Sequence, residues 1–318
     1  MTIEEHFTKA VKPLEPANLS EPIQYTLNQG GKRIRPQLVR LATEMFGGDA
    51  EAAGYVEAAF EMLHNFTLIH DDIMDEAPLR RNQPTVYQKW NPNIAILAGD
   101  ALATLAIREI LKVPAAPETI IKLADLLSQT CIEVCSGQQY DLDFETTEAV
   151  SLDDYLKMIR LKTSVLLAAC LKAGAILAKA DEHAQELIYE GGINLGLAFQ
   201  LKDDLLDVYS DTEIFGKVHG GDIRENKKTY LYLLALKEAS GEDANLLRSC
   251  FSKKEMDFQT KFDTVTSIYA KLGIKEKTEN EINIYVERAL FYINNIGSAA
   301  KDLRPLENLV NQLTHRNK

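Results

Sequence analysis

Four cysteines and a single tryptophan in 318 residues leave little room for a disulfide scaffold. Cys131, Cys135, Cys170 and Cys250 show no Cys-x-x-Cys spacing, so the pattern of a zinc ribbon is missing too. Cys131 and Cys135, one helical turn apart, read as core residues, and the set fits a reducing cytoplasm. Positive charge is also in deficit: the formal net charge is −12, which excludes the basic surface of a nucleic-acid binder. An anionic substrate stays admissible if metal ions and a local cluster of Lys and Arg receive it. No apolar run is long enough to span a bilayer. The most apolar window, Ser164 to Ala180, is interrupted by Lys172 and Lys179 and reads as a buried helix, so no integral membrane segment is expected. The first residues, Met1 to Lys9, lack a basic region followed by an apolar one, so no signal peptide is expected.

Alternating β-branched runs are short, whereas apolar positions recur at three- and four-residue spacing almost throughout. The pattern predicts an all-α protein, with helices over about 3–11, 18–29, 34–46, 50–74, 93–112, 117–139, 151–179, 182–209, 226–238, 243–251, 254–271, 273–295 and 298–314. The length admits one or two domains. With no linker evident, residues 1–318 are read as one domain. Gly47-Gly48, 114–117 and 210–221 read as breaks between helices.

Two acidic motifs stand out. Ile69-His-Asp-Asp-Ile-Met-Asp75 places three aspartates within five residues, and Gln200-Leu-Lys-Asp-Asp-Leu-Leu-Asp207 repeats the spacing. On helices, Asp71 and Asp75 share one face, as do Asp203 and Asp207, because positions four apart are neighbours about 6 Å along the axis. Two such faces opposed across a cavity would suit Mg²⁺, which takes carboxylate oxygens and bridges to substrate phosphates.

Isolated cations flank both motifs. Gly30-Gly-Lys-Arg-Ile-Arg-Pro36 sets Lys32 and Arg35 after two glycines that let backbone approach a ligand. A solvated helix end is the alternative. Arg80 and Arg81 follow the first motif, where they could also merely compensate its charge. Gly137-Gln138 opens a polar cluster, Lys162 and Thr163 lie at the polar entrance of an apolar helix, and Gly216-Lys217 and Lys227 follow the second motif. His64 and His70 fall on different faces of the helix that delivers Asp71, so a joint metal site is not expected. Together these features describe a clamp for diphosphate groups.

The ordered set Gly31-Lys-Arg-Ile-Arg-Pro36, Leu68-Ile-His-Asp-Asp-Ile-Met-Asp75 with Arg80-Arg81, Gly137-Gln138, Lys162-Thr163, Gln200-x-x-Asp-Asp-x-x-Asp207 and Gly216-Lys217 resembles the trans-isoprenyl diphosphate synthases, or polyprenyl synthetases, over essentially the whole chain. The resemblance implies a single-domain bundle of antiparallel helices around a central cavity, usually a homodimer. It implies three Mg²⁺ ions, with Mn²⁺ as an alternative, two bound by Asp71 and Asp75 and one by Asp203. Arg80, Lys162, Gln200 and Lys217 would contact the allylic diphosphate. Lys32, Arg35, His64 and Arg81 would hold isopentenyl diphosphate, with Thr163 helping to stabilise the cation. Asp72, Asp204, Asp207 and Lys227 would support them. Departures from the family pattern are Asn82 and Asn226 where Gly is common, Tyr87 where His is usual and Tyr230 where Pro is common. None removes a metal ligand or a phosphate-binding cation.

Chain length is implied by residues before Asp71. Phe66, five before it, is large and Thr67, four before it, is small, a pairing that resembles geranylgeranyl (C20) synthases; C15, and C25 or longer, are the alternatives. Met62 or a side chain of the 93–112 helix could form the floor instead of Phe66. A class I terpene cyclase shares the first aspartate motif but differs at the second, and a noncatalytic prenyl-diphosphate-binding subunit would be expected to have lost aspartates.

Overall fold

The computed structural model describes residues 1–210, 220–252 and 256–314. In chain order the helices begin with α1 (Ile3–Val11), α2 (Ala17–Asn28), α3 (Ile34–Met45), α4 (Ala50–Met74), α5 (Val86–Lys89), α6 (Pro92–Ile110), α7 (Pro117–Thr146), α8 (Leu152–Ile159), α9 (Val165–Leu177) and α10 (Glu182–Tyr209). Helices Gly221–Arg224, Tyr230–Glu238, Gly241–Cys250, Phe258–Leu272, Ile274–Asn294 and Arg304–Thr314 follow. Among the described residues the only strands are β1 (Leu79–Arg80) and β2 (Gln83–Pro84), an antiparallel hairpin just after the first acidic motif. The fold is all-α.

Local chemistry sets the helix starts. Thr2 and Glu5 form a reciprocal capping box on α1, and Ser151 and Asp154 form another on α8. Asn91 accepts the Ile94 N–H at 2.9 Å with Pro92 at the first position of α6. Several ends differ from expectation. The 117–139 helix continues to Thr146, and the helices predicted from 226 and from 298 begin only at Tyr230 and Arg304. The predicted 151–179 helix is interrupted by a π turn at Arg160–Ser164. Cys170 is buried as expected, but Cys135 is exposed, because it lies on the outward stripe of α7 with Ile132, Ser136 and Gln139. None of the four cysteines forms a disulfide.

The chain divides into two compact units. The first comprises Met1–Val134, Val165–Gly192 and Tyr292–Glu307. In it α4 packs against α6 and α3, and α3 against α9, around a core that includes Phe60, Met62, Leu63 and Leu102. All of Val165–Leu177 is buried except Lys172, the apolar helix read from the sequence. The second comprises the described residues of 135–164, 193–291 and 308–318. There Tyr230–Glu238 packs on α8 and on Phe258–Leu272, with Tyr269 and Leu231 in the core.

Candidate active site

In the first unit α4 carries Asp71 and Asp72, with Asp75 as its C-terminal cap. Asp72 is buried, and its carboxyl is raised by that burial despite the Arg80 Nε donating to Oδ1 at 2.7 Å. Arg80 also reaches Asp71 Oδ2 at 3.4 Å. Asp71 is half-buried and Asp75 exposed, so the two aspartates on one face keep access to solvent while the middle one is spent on Arg80. Arg80, expected on a diphosphate, is engaged with this pair.

The Gly30-Gly31 turn meets the hairpin. Both glycines have positive φ, 74° and 123°, and Arg81 Nη1 donates to the Gly30 carbonyl. A Cβ on Gly31 would fall 2.8 Å from the Arg81 guanidinium carbon. His64 on α4 is held well below the usual imidazole range by burial and then by Arg35, Arg81, Arg80 and Arg33, so it is neutral among four arginines. Lys32 is exposed. Arg33, for which sequence reading had no role, turns inward: it pairs with buried Glu61 at 2.5 Å and donates to the Leu27 carbonyl at 2.6 Å. Nothing in the basic run itself distinguishes it from Lys32 and Arg35. His70 faces the other way, its Nε2 3.1 Å from the Ile96 carbonyl oxygen, so the two histidines diverge as their spacing indicated. Phe66 meets His70 edge-on at 4.9 Å, and Thr67 donates to the His64 carbonyl at 2.8 Å.

In the second unit a π turn, which places an extra residue in the helical ladder, carries Lys162 and Thr163. Two glycines allow backbone to approach it: a Cβ on Gly137 would lie 2.2 Å from the Lys162 nitrogen, and one on Gly196 2.4 Å from Ser164 Cα. One turn beyond Gly196, Gln200 accepts from Thr163 at 3.0 Å and donates to Asp204 at 3.1 Å. Lys162 pairs with Asp141 at 2.6 Å. Asp204 is buried and its carboxyl is pushed up to about 7, chiefly by burial. Its other oxygen accepts from Tyr155, to which sequence reading gave no role. Asp203 and Asp207 are half-buried. Asp207 accepts the Asp222 N–H at 3.0 Å, and burial followed by Asp207 and Asp204 raises the Asp222 carboxyl. Lys227 is exposed, 3.0 Å from Glu225. Lys217 and Gly216 lie outside the described residues.

Two departures from the family pattern have a backbone explanation. Asn82 and Asn226 both sit at φ +60°, the left-handed region that glycine enters freely and asparagine tolerates next best. Tyr230 is the first residue of its helix, a position that suits proline without requiring it.

Among the described residues no three His, Cys, Asp or Glu side chains form a group that could by itself hold a metal. Mg²⁺ does not demand one, since it keeps several waters and binds through one or two carboxylates plus substrate phosphates. Aspartates open to solvent at Asp71 and Asp75, beside a buried one already satisfied, fit that donor requirement.

An all-α chain with two Asp-Asp-x-x-Asp helices and cation-lined approaches defines an isoprenoid synthase. The family model for polyprenyl synthetase matches residues 16–269, and the chain belongs to that family. A geranylgeranyl diphosphate synthase of Methanosarcina mazei is 41% identical over 237 residues, 73% of each chain. A geranylfarnesyl diphosphate synthase of Aeropyrum pernix is 34% identical over 312 residues, 96% of each. A crystal structure of a geranylgeranyl pyrophosphate synthase superposes with a TM-score of 0.92 at 43% identity, covering 99% of this chain and 97% of the other. No helix among the described residues is long and apolar enough to cross a membrane.

Proposed function

We propose that the protein is a Mg²⁺-dependent prenyltransferase, a single isoprenyl diphosphate synthase domain that condenses isopentenyl diphosphate with an allylic diphosphate to give geranylgeranyl diphosphate. The observation that carries the reading is the pairing of solvent-accessible aspartates at the end of α4 with a neutral His64 set among arginines. Asp71 and Asp75 would hold two ions and Asp203 a third, supplying positive charge to the departing diphosphate. Arg35, Arg81 and Lys32 would bind the diphosphate of isopentenyl diphosphate, with His64 donating from its neutral ring. Arg80, Lys162 and Lys217 would contact the allylic diphosphate, Lys227 would support them, and Gln200 and Thr163 would face the developing cation.

The C20 product is supported by relatives named geranylgeranyl diphosphate synthase and by a large Phe66 beside a small Thr67. The geranylfarnesyl relative keeps C25 as the second reading. A homodimer is supported by the exposed Ile96, Leu97 and Ile107 on one face of α6. Incubation with isopentenyl and farnesyl diphosphates plus Mg²⁺, followed by phosphatase treatment and sizing of the alcohols, tests the function. Release of diphosphate with a C20 product is expected, and absence of any condensation product would overturn it.

A further inference from the structure

Asp204 is the middle residue of the second acidic motif, yet neither of its oxygens is left over. One accepts from Tyr155 on α8 and the other from the Gln200 amide nitrogen at 3.1 Å. Both Tyr155 and Asp204 are buried, 4% and 3% exposed, so water does not readily replace either partner.

We infer that Tyr155 is a positioning residue for prenyl transfer, acting through Asp204 to fix which way the Gln200 amide faces. The Gln200 amide nitrogen donates to Asp204 Oδ1, so the NH₂ end of the amide is the one turned toward the carboxyl. The carbonyl Oε1 is thereby turned to Thr163, whose hydroxyl donates to it at 3.0 Å. Helical spacing sets one half of this chain, because Gln200 and Asp204 are one turn apart on α10. Tyr155 and Thr163 set the other half from α8 and the π turn that follows it. Removing the Tyr155 hydroxyl takes away one of the hydrogen bonds that hold the buried Asp204 carboxyl, leaving those from the Gln200 amide and the Tyr230 backbone N–H. The carboxylate then turns to recover a partner, and the amide loses its fixed orientation. The Tyr155 ring, by contrast, packs in the core and is kept by phenylalanine.

The inference rests on the proposed prenyl transfer, and wild-type turnover separates the two. If the wild type makes no product, the functional reading fails; if it does, the variants test Tyr155 alone. Steady-state kinetics of Tyr155→Phe, Gln200→Leu and the double variant form a cycle. Tyr155→Phe should lower kcat about 10- to 100-fold with both KM values within about twofold, and in the Gln200→Leu background it should change kcat less than about twofold. An equal loss in both backgrounds, a loss confined to KM, or an unchanged kcat would overturn the inference. If Tyr155→Phe shows no cooperative thermal transition, Asp204→Asn goes through the same cycle with the same outcomes deciding.

Discussion

Arg81 lies so close over Gly31 that a Cβ there would fall 2.8 Å from its guanidinium carbon, while the same guanidinium donates to the Gly30 carbonyl. The glycine pair and the arginine after the acidic motif are one structural unit. Gly31→Ala strains a φ of 123° and also pushes its Cβ against the Arg81 guanidinium. The expected result is a rise of about tenfold or more in KM for isopentenyl diphosphate, with kcat at saturation changed much less. An unchanged KM would remove Arg81 from the binding of that substrate.

Phe66 and His70 form an edge-to-face pair, and His70 is itself seated against α6, where a Cβ on Gly99 would lie 2.3 Å from Nε2. If Phe66 is the floor for the growing chain, Phe66→Ala lengthens the product beyond C20. Gly99→Ala, by pushing His70 against Phe66, shifts the length distribution as well. Chromatography of dephosphorylated products checks both, and an unaltered distribution in Phe66→Ala would move the floor to another residue such as Met62.

The helices were largely legible because capping and apolar spacing are local: α1, α4 and α10 begin and end where the sequence pattern places them. The π turn at Arg160–Ser164 was not, since the backbone packed against it comes from Gly137 and Gly196, both distant in sequence. The same holds at the site. Repeated aspartates announce themselves by spacing, whereas the inward turn of Arg33 to Glu61 and the bond from Tyr155 to Asp204 depend on partners 28 and 49 residues away.

The aspartates make a sharp metal test. Asp71→Ala and Asp203→Ala should each reduce turnover by several orders of magnitude while the thermal transition stays within a few degrees of wild type. Chelation by EDTA should abolish wild-type activity, and Mg²⁺ or Mn²⁺ should restore it. Substantial residual activity in either variant would contradict its assignment as a ligand.

Two buried glutamates near His6 should respond to pH with opposite sign. Burial raises the Glu57 carboxyl above its ordinary 4.5 even with Arg40 at 2.8 Å. Stability from this group is therefore fully present below about pH 4.5 and is lost as pH rises through the raised value. Glu109 is lowered: burial opposes its ionisation, but hydrogen bonds from His6 and Lys112 outweigh it. Its contribution is present above pH 4.5 and is lost as pH falls through the depressed value. In thermal melts, Glu57→Gln should gain on wild type as pH rises from 4 to 7. Glu109→Gln should cost about 1–3 kcal/mol at pH 7 and progressively less in acid. Parallel pH profiles for the two variants would contradict the opposite shifts.

On α6, Ile96, Leu97, Ile107 and Leu111 just beyond its end are 42, 58, 41 and 60% exposed. Residues 96, 97, 100, 104, 107, 108 and 111 share one exposed face at helical spacing, with Asp100, Thr104 and Arg108 set among the apolar side chains. On α7, Ile121 and Ile132 are exposed to a similar degree. Large apolar side chains gathered on one exposed helix face, rimmed by polar ones, mark a contact surface. A second copy of the chain is its proposed cover, because the same face can meet itself across a two-fold axis. Leu97→Asp combined with Leu111→Asp places a charge near each end of this face while leaving the buried face of α6 untouched. Sedimentation should then show a monomer where the wild type is a dimer, with the helical content preserved. A wild type that sediments as a monomer, or a variant that stays dimeric, would remove α6 from the interface.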